Sequence, residues 1–350
     1  MSDKKMTLFV SDIHMGPGEK WDWFDAAKEG PKLIKFFEYV TKRYSTRRDI
    51  KEIVLLGDVF DLWVCPHDKT PHTFLDICNG QKMVIDSIKK MAEKVPVLYV
   101  NGNHDYQVGA DDIKNAFDGR VKYLGRRYQR GNILAIHGHQ YALFNRPDPK
   151  NGGPSLRIPL GYYITRMYTT LDKSRKSKAN LIFQVIDESF QVLGPEKLPE
   201  SVLDALKDTI LCSKDVDVKT FIMGHICRDQ SFDDVRDRYQ NLYDDWLKAV
   251  GFWQSVQMIM CELNRLGTIA DQLCRDGIEI VVMGHSHDTK MDKDHLIGRD
   301  RIYANCGYWC GFDEEESGED NAHFVQTDGK KVELCSFRQG KSKKEKILKL

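Results

Sequence analysis

EIVLLGDVFD, residues 52–61, carries an unbroken aliphatic run at 53–56 and breaks at a glycine followed by two carboxylates three residues apart. A short apolar run bounded by a turn residue reads as a strand buried on both faces. The glycine lets the backbone turn sharply, so Asp58 and Asp61 land just beyond the strand's carboxyl end. In an open α/β sheet that edge is where loops converge to build sites. The arrangement recurs in LFVSDIH (8–14), VLYVNGNHD (97–105), ILAIHGH (133–139) and IVVMGHSH (280–287). Each run delivers Asp, Asn or His to a strand end.

Around these motifs the pattern alternates. Strands are expected at 6–10, 52–56, 97–100 and 133–136, with amphipathic helices at 32–43 and 81–94. The same alternation returns late: a helix at 268–275 closed by Gly277, then strands at 278–283, 302–305 and 331–337. Alternation of this kind indicates an α/β architecture with helices covering a sheet. Between the two stretches the chain reads as helix and loop. RPDPKNGGPS (146–155) is a Pro/Gly-rich exit. Farther on, Val235, Tyr239, Leu242, Trp246, Val250 and Trp253 recur at helical spacing. The expected organisation is a core in two parts, 1–146 and 268–338, with a helical cap inserted at 147–267 and a Lys-rich tail at 339–350 read as a frayed, solvated end.

Composition narrows the class. The 350 residues carry 52 basic and 52 acidic side chains, so no global field marks a nucleic-acid partner or a disordered chain. The start shows no long apolar segment with a small-residue cleavage site. No run approaches the ~18–20 apolar residues of a membrane span. Nine cysteines, odd in number and without a CxxC pair, fit reduced thiols. A cytoplasmic location is expected, with at most peripheral association with the inner face of a membrane.

The chemistry lies in the donor set. Carboxylates and an amide offer oxygen, imidazoles offer nitrogen, and no thiolate takes part; that mixture suits manganese, with iron or zinc as alternatives, better than a pure magnesium or calcium site. One carboxylate can bridge two such ions ~3.5–4 Å apart.

The ordered set DxH, GDxxD, GNHD, HGH and GHxH resembles the calcineurin-like metallophosphoesterase superfamily. The resemblance covers the two α/β stretches and little of the insertion. It implies a four-layer α/β/β/α sandwich and hydrolysis of a phosphodiester or pyrophosphate bond by attack of a metal-bound hydroxide. By motif, Asp12, His14 and His287 would hold a first ion, Asp58 would bridge, and Asn103, His137 and His285 would complete a second. His104 would serve as general acid beside the scissile phosphate, oriented by Asp61. His139 has two readings, a substrate contact beside His137 or a polar residue at a strand end. His225, in an MGH that lacks the second histidine, reads as an ordinary cap residue.

The substrate is read from the insertion. RIPLGYYITRMYTTLDKSRKSKAN (157–180) joins bulky apolar side chains to six cations, opposed by Asp172 alone. It suits an anionic amphiphile, with Arg157, Arg166, Lys178 and Asn180 as candidate contacts, or equally a packed helix with a solvated basic face. The segment resembles the helical insertion of the UDP-2,3-diacylglucosamine pyrophosphatases, a membrane-associated branch of the superfamily. Two features depart from that branch: His104 stands where its classical members carry arginine, and Asp61 where glutamate is frequent. The insertion is also longer. A nucleotide-linked or lipid-like substrate is therefore expected, with a nuclease or cyclic-nucleotide phosphodiesterase as enzymatic alternatives and a binding protein on a decayed fold as the non-enzymatic one.

Overall fold

A computed structural model describes residues 5–66, 69–142, 266–296, 298–311 and 321–350, with positions 145, 159, 161, 162, 165, 166, 169, 237, 240, 241 and 244. Two sheets form the centre. In the first, β1 (Met6–Val10), β2 (Ile50–Leu56), β3 (Val97–Val100) and β4 (Val121–Tyr123) run parallel. On the other side of β1 the sheet continues antiparallel through β10 (His323–Thr327), β11 (Lys331–Arg338) and β12 (Lys341–Lys349). The second sheet has the order β5 (Tyr128–Arg130), β6 (Ile133–Ala135), β7 (Ile280–Met283), β9 (Arg299–Asn305), β8 (Lys290–Leu296).

Why the strands read as unbroken apolar runs is visible in the layers. Leu8 and Val10, Ile53 and Leu55, and Val97 and Tyr99 face a core closed by α1 (Glu29–Thr46), α2 (Phe74–Gly80), α3 (Lys82–Ala92) and α4 (Ala110–Ala116). Their alternates, Phe9, Val54, Leu56, Leu98 and Val100, face the second sheet and meet Ile133, Ala135, Ile280 and Val282 there. Leu134, Val281 and Met283 point the other way, onto α5 (Gly267–Leu273). The period of two is present, but both faces are buried, so the apolar residues from 8 to 10, 53 to 56 and 97 to 100 do not alternate with polar ones. The result is the expected α/β/β/α sandwich.

The Lys-rich tail is corrected. Residues 341–349 form an edge strand on β11 and not a frayed end. Lys344 Nζ lies 2.9 Å from Glu333 Oε1, Glu345 accepts Ser336 Oγ at 2.7 Å, and Leu348 and Leu350 pack against the core between the sheets. A solvated outer face makes the strand's composition polar, and lysines on such an edge discourage further pairing.

Most of the expected cap lies outside the described residues, as do Arg157, Lys178, Asn180 and His225. Within it, the described positions 161, 162, 165, 166 and 169 are helical, as are 237, 240, 241 and 244. Among the described residues no helix is long and apolar enough to cross a membrane.

Candidate metal centre

The five motifs meet at one edge of the two sheets. Asp12 and His14 follow β1, Asp58 and Asp61 follow β2, Asn103 and His104 follow β3, His137 follows β6, and His285 and His287 follow β7. Their donor atoms fall into three overlapping groups: Asp12, His14 and His287; His14, Asp58 and His104; Asp58, His137 and His285, each with all donor atoms within 4.8 Å of one another. His14 Nε2 lies 3.1 Å from His287 Nε2, and Asp12 Oδ1 lies 3.2 Å from His287 Nε2. On the other side, Asp58 Oδ2 is 3.1 Å from His137 Nε2 and 3.7 Å from His14 Nε2. Asp58 thus belongs to both halves.

The backbone is bent to achieve this. Asp12, His14, Asp58, His285 and His287 all hold positive φ, between 48° and 70°. That region is costly for residues with a Cβ and persists where surrounding structure over-determines it. The neighbouring glycines are required by space. A Cβ on Gly284 would lie 1.9 Å from Ser11 Oγ and 2.3 Å from Asp12 Oδ2, and one on Gly102 would lie 2.0 Å from Asp58 Oδ1.

Hydrogen bonds fix which ring nitrogens face inward. His14 Nδ1 is 2.9 Å from Asp61 Oδ2, and His104 Nδ1 is 2.9 Å from Asp61 Oδ1, so one carboxylate holds both rings by the same atom. His137 Nδ1 donates to the Leu56 carbonyl at 3.1 Å. The Nε2 lone pairs of His14 and His137 are left for the site. Asp12 is held by Ser11 Oγ at 2.5 Å and by the His285 amide at 3.0 Å. His104 is also packed on its faces: the Trp63 ring stacks at 4.3 Å, and Trp23 lies 5.3 Å away.

Electrostatically the edge demands cations. Burial pushes the Asp12, Asp58 and Asp61 carboxyls up, but the imidazoles beside them, His137 foremost for Asp12 and Asp58 and His104 foremost for Asp61, outweigh it and hold all three well below the usual carboxylate range. Burial opposes charging His14 and His137, yet the adjacent carboxylates raise them to about 10 and about 9. Burial, aided by nearby His137, lowers His285 to about 3, and burial lowers His287. Three buried carboxylates that draw protons onto their own histidines form a place for divalent ions, which would displace those protons. Two buried atoms agree: among the described residues Asn103 Oδ1 has no hydrogen-bond partner, and His137 Nε2, though 3.1 Å from Asp58 Oδ2, makes no hydrogen bond. The residues present fit a pair of divalent cations.

His139 is buried with Nδ1 unpartnered among the described residues, and its ring stands 5.4 Å from that of His137. Burial first, then the charges of His137 and His285, keep it neutral; it joins none of the three donor groups. Arg166, read as a substrate contact, is 3% exposed and donates to the main-chain carbonyls of Cys65, Pro66 and Lys69. Sequence reasoning assigned no part to Asp105, whose carboxylate accepts the amides of Val59 (2.8 Å) and Gly102 (2.6 Å) and so ties two motif loops together. Its place as the last residue of GNHD was the available signal. Trp23 and Trp63 had none, since an aromatic residue beside a motif follows no period.

Comparison with known proteins gives one family. The description that matches residues 6–289 is calcineurin-like phosphoesterase. A UDP-2,3-diacylglucosamine hydrolase of Coxiella burnetii (strain Dugway 5J108-111) is 27% identical over 232 residues, 63% of this chain and 80% of that protein. One of Klebsiella pneumoniae subsp. pneumoniae is 23% identical over 257 residues, 71% and 91% of the two. Among solved structures, the Pseudomonas putida nuclease MPE aligns with 43% of this chain and 62% of its own at 16% identity, with a TM-score of 0.26.

Proposed function

This chain belongs to the calcineurin-like phosphoesterase family, metal-dependent hydrolases of phosphoric esters or diphosphates, and from that premise we propose how its own residues divide the work. Asp12, His14 and His287 hold one divalent ion, Asn103, His137 and His285 hold a second, and Asp58 bridges them. The observation that carries this reading is the shared position of Asp58, within 3.7 Å of His14 Nε2 and 3.1 Å of His137 Nε2. Manganese suits the oxygen–imidazole donors, with iron and zinc as alternatives. When bound, such a pair neutralises charge on the phosphoryl oxygens and acidifies the attacking water.

The remaining residues handle the proton. A phosphorus–oxygen bond to water forms as the bond to the leaving group breaks, and His104 gives its Nε2 proton to the departing oxygen. Asp61 accepts the Nδ1 proton at 2.9 Å and so turns Nε2 outward, where the second proton of the imidazolium is carried. Asp58 Oδ1 accepts the His104 amide at 2.8 Å, so acid and bridge are referenced to one another. Trp63, 1% exposed, shuts water from one face of the ring.

For the substrate, the reading is a nucleoside-diphosphate-linked amphiphile, cleaved at its pyrophosphate. Support comes from the names of the curated relatives and from the apolar and cationic composition of residues 157–180. The test begins with metal. Protein stripped by chelation should not cleave bis(p-nitrophenyl) phosphate, and about two manganese ions per chain should restore cleavage. Arg157→Ala with Lys178→Ala should lower kcat/KM on the nucleotide-linked amphiphile and spare the small diester. Metal-loaded protein that cleaves neither compound would leave the binding-protein reading in its place.

A further inference from the structure

We propose that the inserted segment positions the acid: Tyr162 and Arg166 hold His104 in place by way of Trp63 and Asp61. The inference rests on His104 acting as the acid in the reading above. It starts from a cation buried where sequence alone placed a substrate contact. Arg166 Nε donates to Cys65 O at 3.3 Å, Nη2 to Pro66 O and to Lys69 O at 2.9 Å each, and Nη1 to the Tyr162 hydroxyl at 3.1 Å. A buried guanidinium is tolerated only where its donors are matched, so it fixes the carbonyls that match it.

Those carbonyls lie just past the residues that aim Asp61. The amides of Trp63 and Val64 both donate to Asp61 Oδ1 at 2.9 Å, and the same oxygen meets His104 Nδ1 at 2.9 Å. Arg166 therefore fastens the chain that sets the direction of the carboxylate. A second route runs through the rings. Tyr162 stands edge-on to Trp63, 6.0 Å between centroids at 89°, and Trp63 stacks on His104, 4.3 Å at 28°. The imidazole is held at its Nδ1 by one route and on its face by the other. Proton delivery is sensitive to displacements of about 1 Å, so the insertion contributes to catalysis without touching the reacting atoms.

The experiment uses the full chain loaded with manganese and aryl methyl phosphodiesters whose leaving groups run from p-nitrophenol to unsubstituted phenol. Arg166→Ala should keep its metals, slow the phenol ester by roughly 10–100-fold, a share of the acid's effect, and slow the p-nitrophenyl ester far less. Combined with His104→Ala, it should add no further loss on the phenol ester, because both changes remove one function. Tyr162→Phe removes only the hydroxyl that meets the guanidinium, and should show the same trend at smaller size if Arg166→Ala does not fold. Equal slowing of all esters, or a loss that adds to that of His104→Ala, overturns the proposal. Wild-type protein that cleaves none of the esters would instead overturn the phosphoesterase reading on which it stands.

Discussion

The two oxygens of Asp58 serve different partners. Oδ1 takes the His104 amide at 2.8 Å, while Oδ2 stands 3.1 Å from His137 Nε2. An amide in that place keeps the shape and removes the charge that burial makes most costly to replace. Asp58→Asn is therefore expected to hold fewer than one divalent ion per chain by elemental analysis and to lose more than about 10²-fold in kcat. Full activity in this variant would remove the central assignment. His104→Ala separates the acid from the ligands: its metal content should match wild type, with turnover down by roughly 10²–10⁴-fold on poor leaving groups and less on p-nitrophenolate. At this scale the sequence was informative because donor types are chemistry that side chains announce, and a motif such as GHSH keeps its order wherever it is met. What supports the donors was less legible. Ser11, Asp105, Trp23 and Trp63 act by direction and contact, which depend on five loops meeting in space.

Elements were legible where both faces are apolar. The runs at 6–10 and 97–100 are the strands β1 and β3 residue for residue, because strands buried between layers are almost wholly apolar, with the small Thr7 the one break in the first. Edge strands were not. In β8, KMDKDHL, Met291 is buried while Lys290, Asp292, Lys293 and Asp294 give the strand a charged exterior, so it carries almost no hydrophobic signal. β12 escaped for the same reason. The connection from β1 to α1 shows a cost that sequence does not reveal. Asp22 is 1% exposed, accepts the amides of Gly18 and Glu19 at 2.6 and 2.7 Å, and has Oδ1 unpartnered among the described residues. Burial pushes its carboxyl up to about 7. A carboxyl raised on folding binds its proton more tightly in the folded state than in the unfolded one. Its contribution is thus fullest at low pH and is lost as pH rises from about 4 through about 7. Asp22→Asn can still accept both amides and carries no charge to bury. Its Tm is expected to exceed that of wild type above pH 7, by an amount that shrinks toward pH 4. Parallel Tm curves for the two proteins across that range would show that Asp22 is not the group responsible.

The two parts of the core are interleaved, and the site exists only when they are. β6 of the first part pairs with β7 of the second, Ile133 opposite Ile280 and Ala135 opposite Val282, while β1 pairs with β10. His285 and His287 reach Asp12 and Asp58 through that pairing. The chain also leaves the core beside the point where it returns. Gly138 is so close to Leu266 that a Cβ would lie 2.9 Å from Leu266 Cδ1, and Tyr141 packs on the cluster containing Leu266 and Ile269. A segment that departs and re-enters at one place can be replaced by a short flexible link at little entropic cost, since closure energy grows only slowly with length. We therefore expect a chain in which residues 147–265 give way to a Gly/Ser link to fold, bind about two divalent ions and cleave bis(p-nitrophenyl) phosphate within roughly 10-fold of wild type. The same chain lacks Tyr162 and Arg166, so it should fall much further behind on the phenol ester, as Arg166→Ala does. Calorimetric unfolding, metal content and the two rates decide the matter together. A shortened chain that binds no metal would place the insertion within the folding unit, and one that keeps the full rate on both esters would leave His104 independent of it.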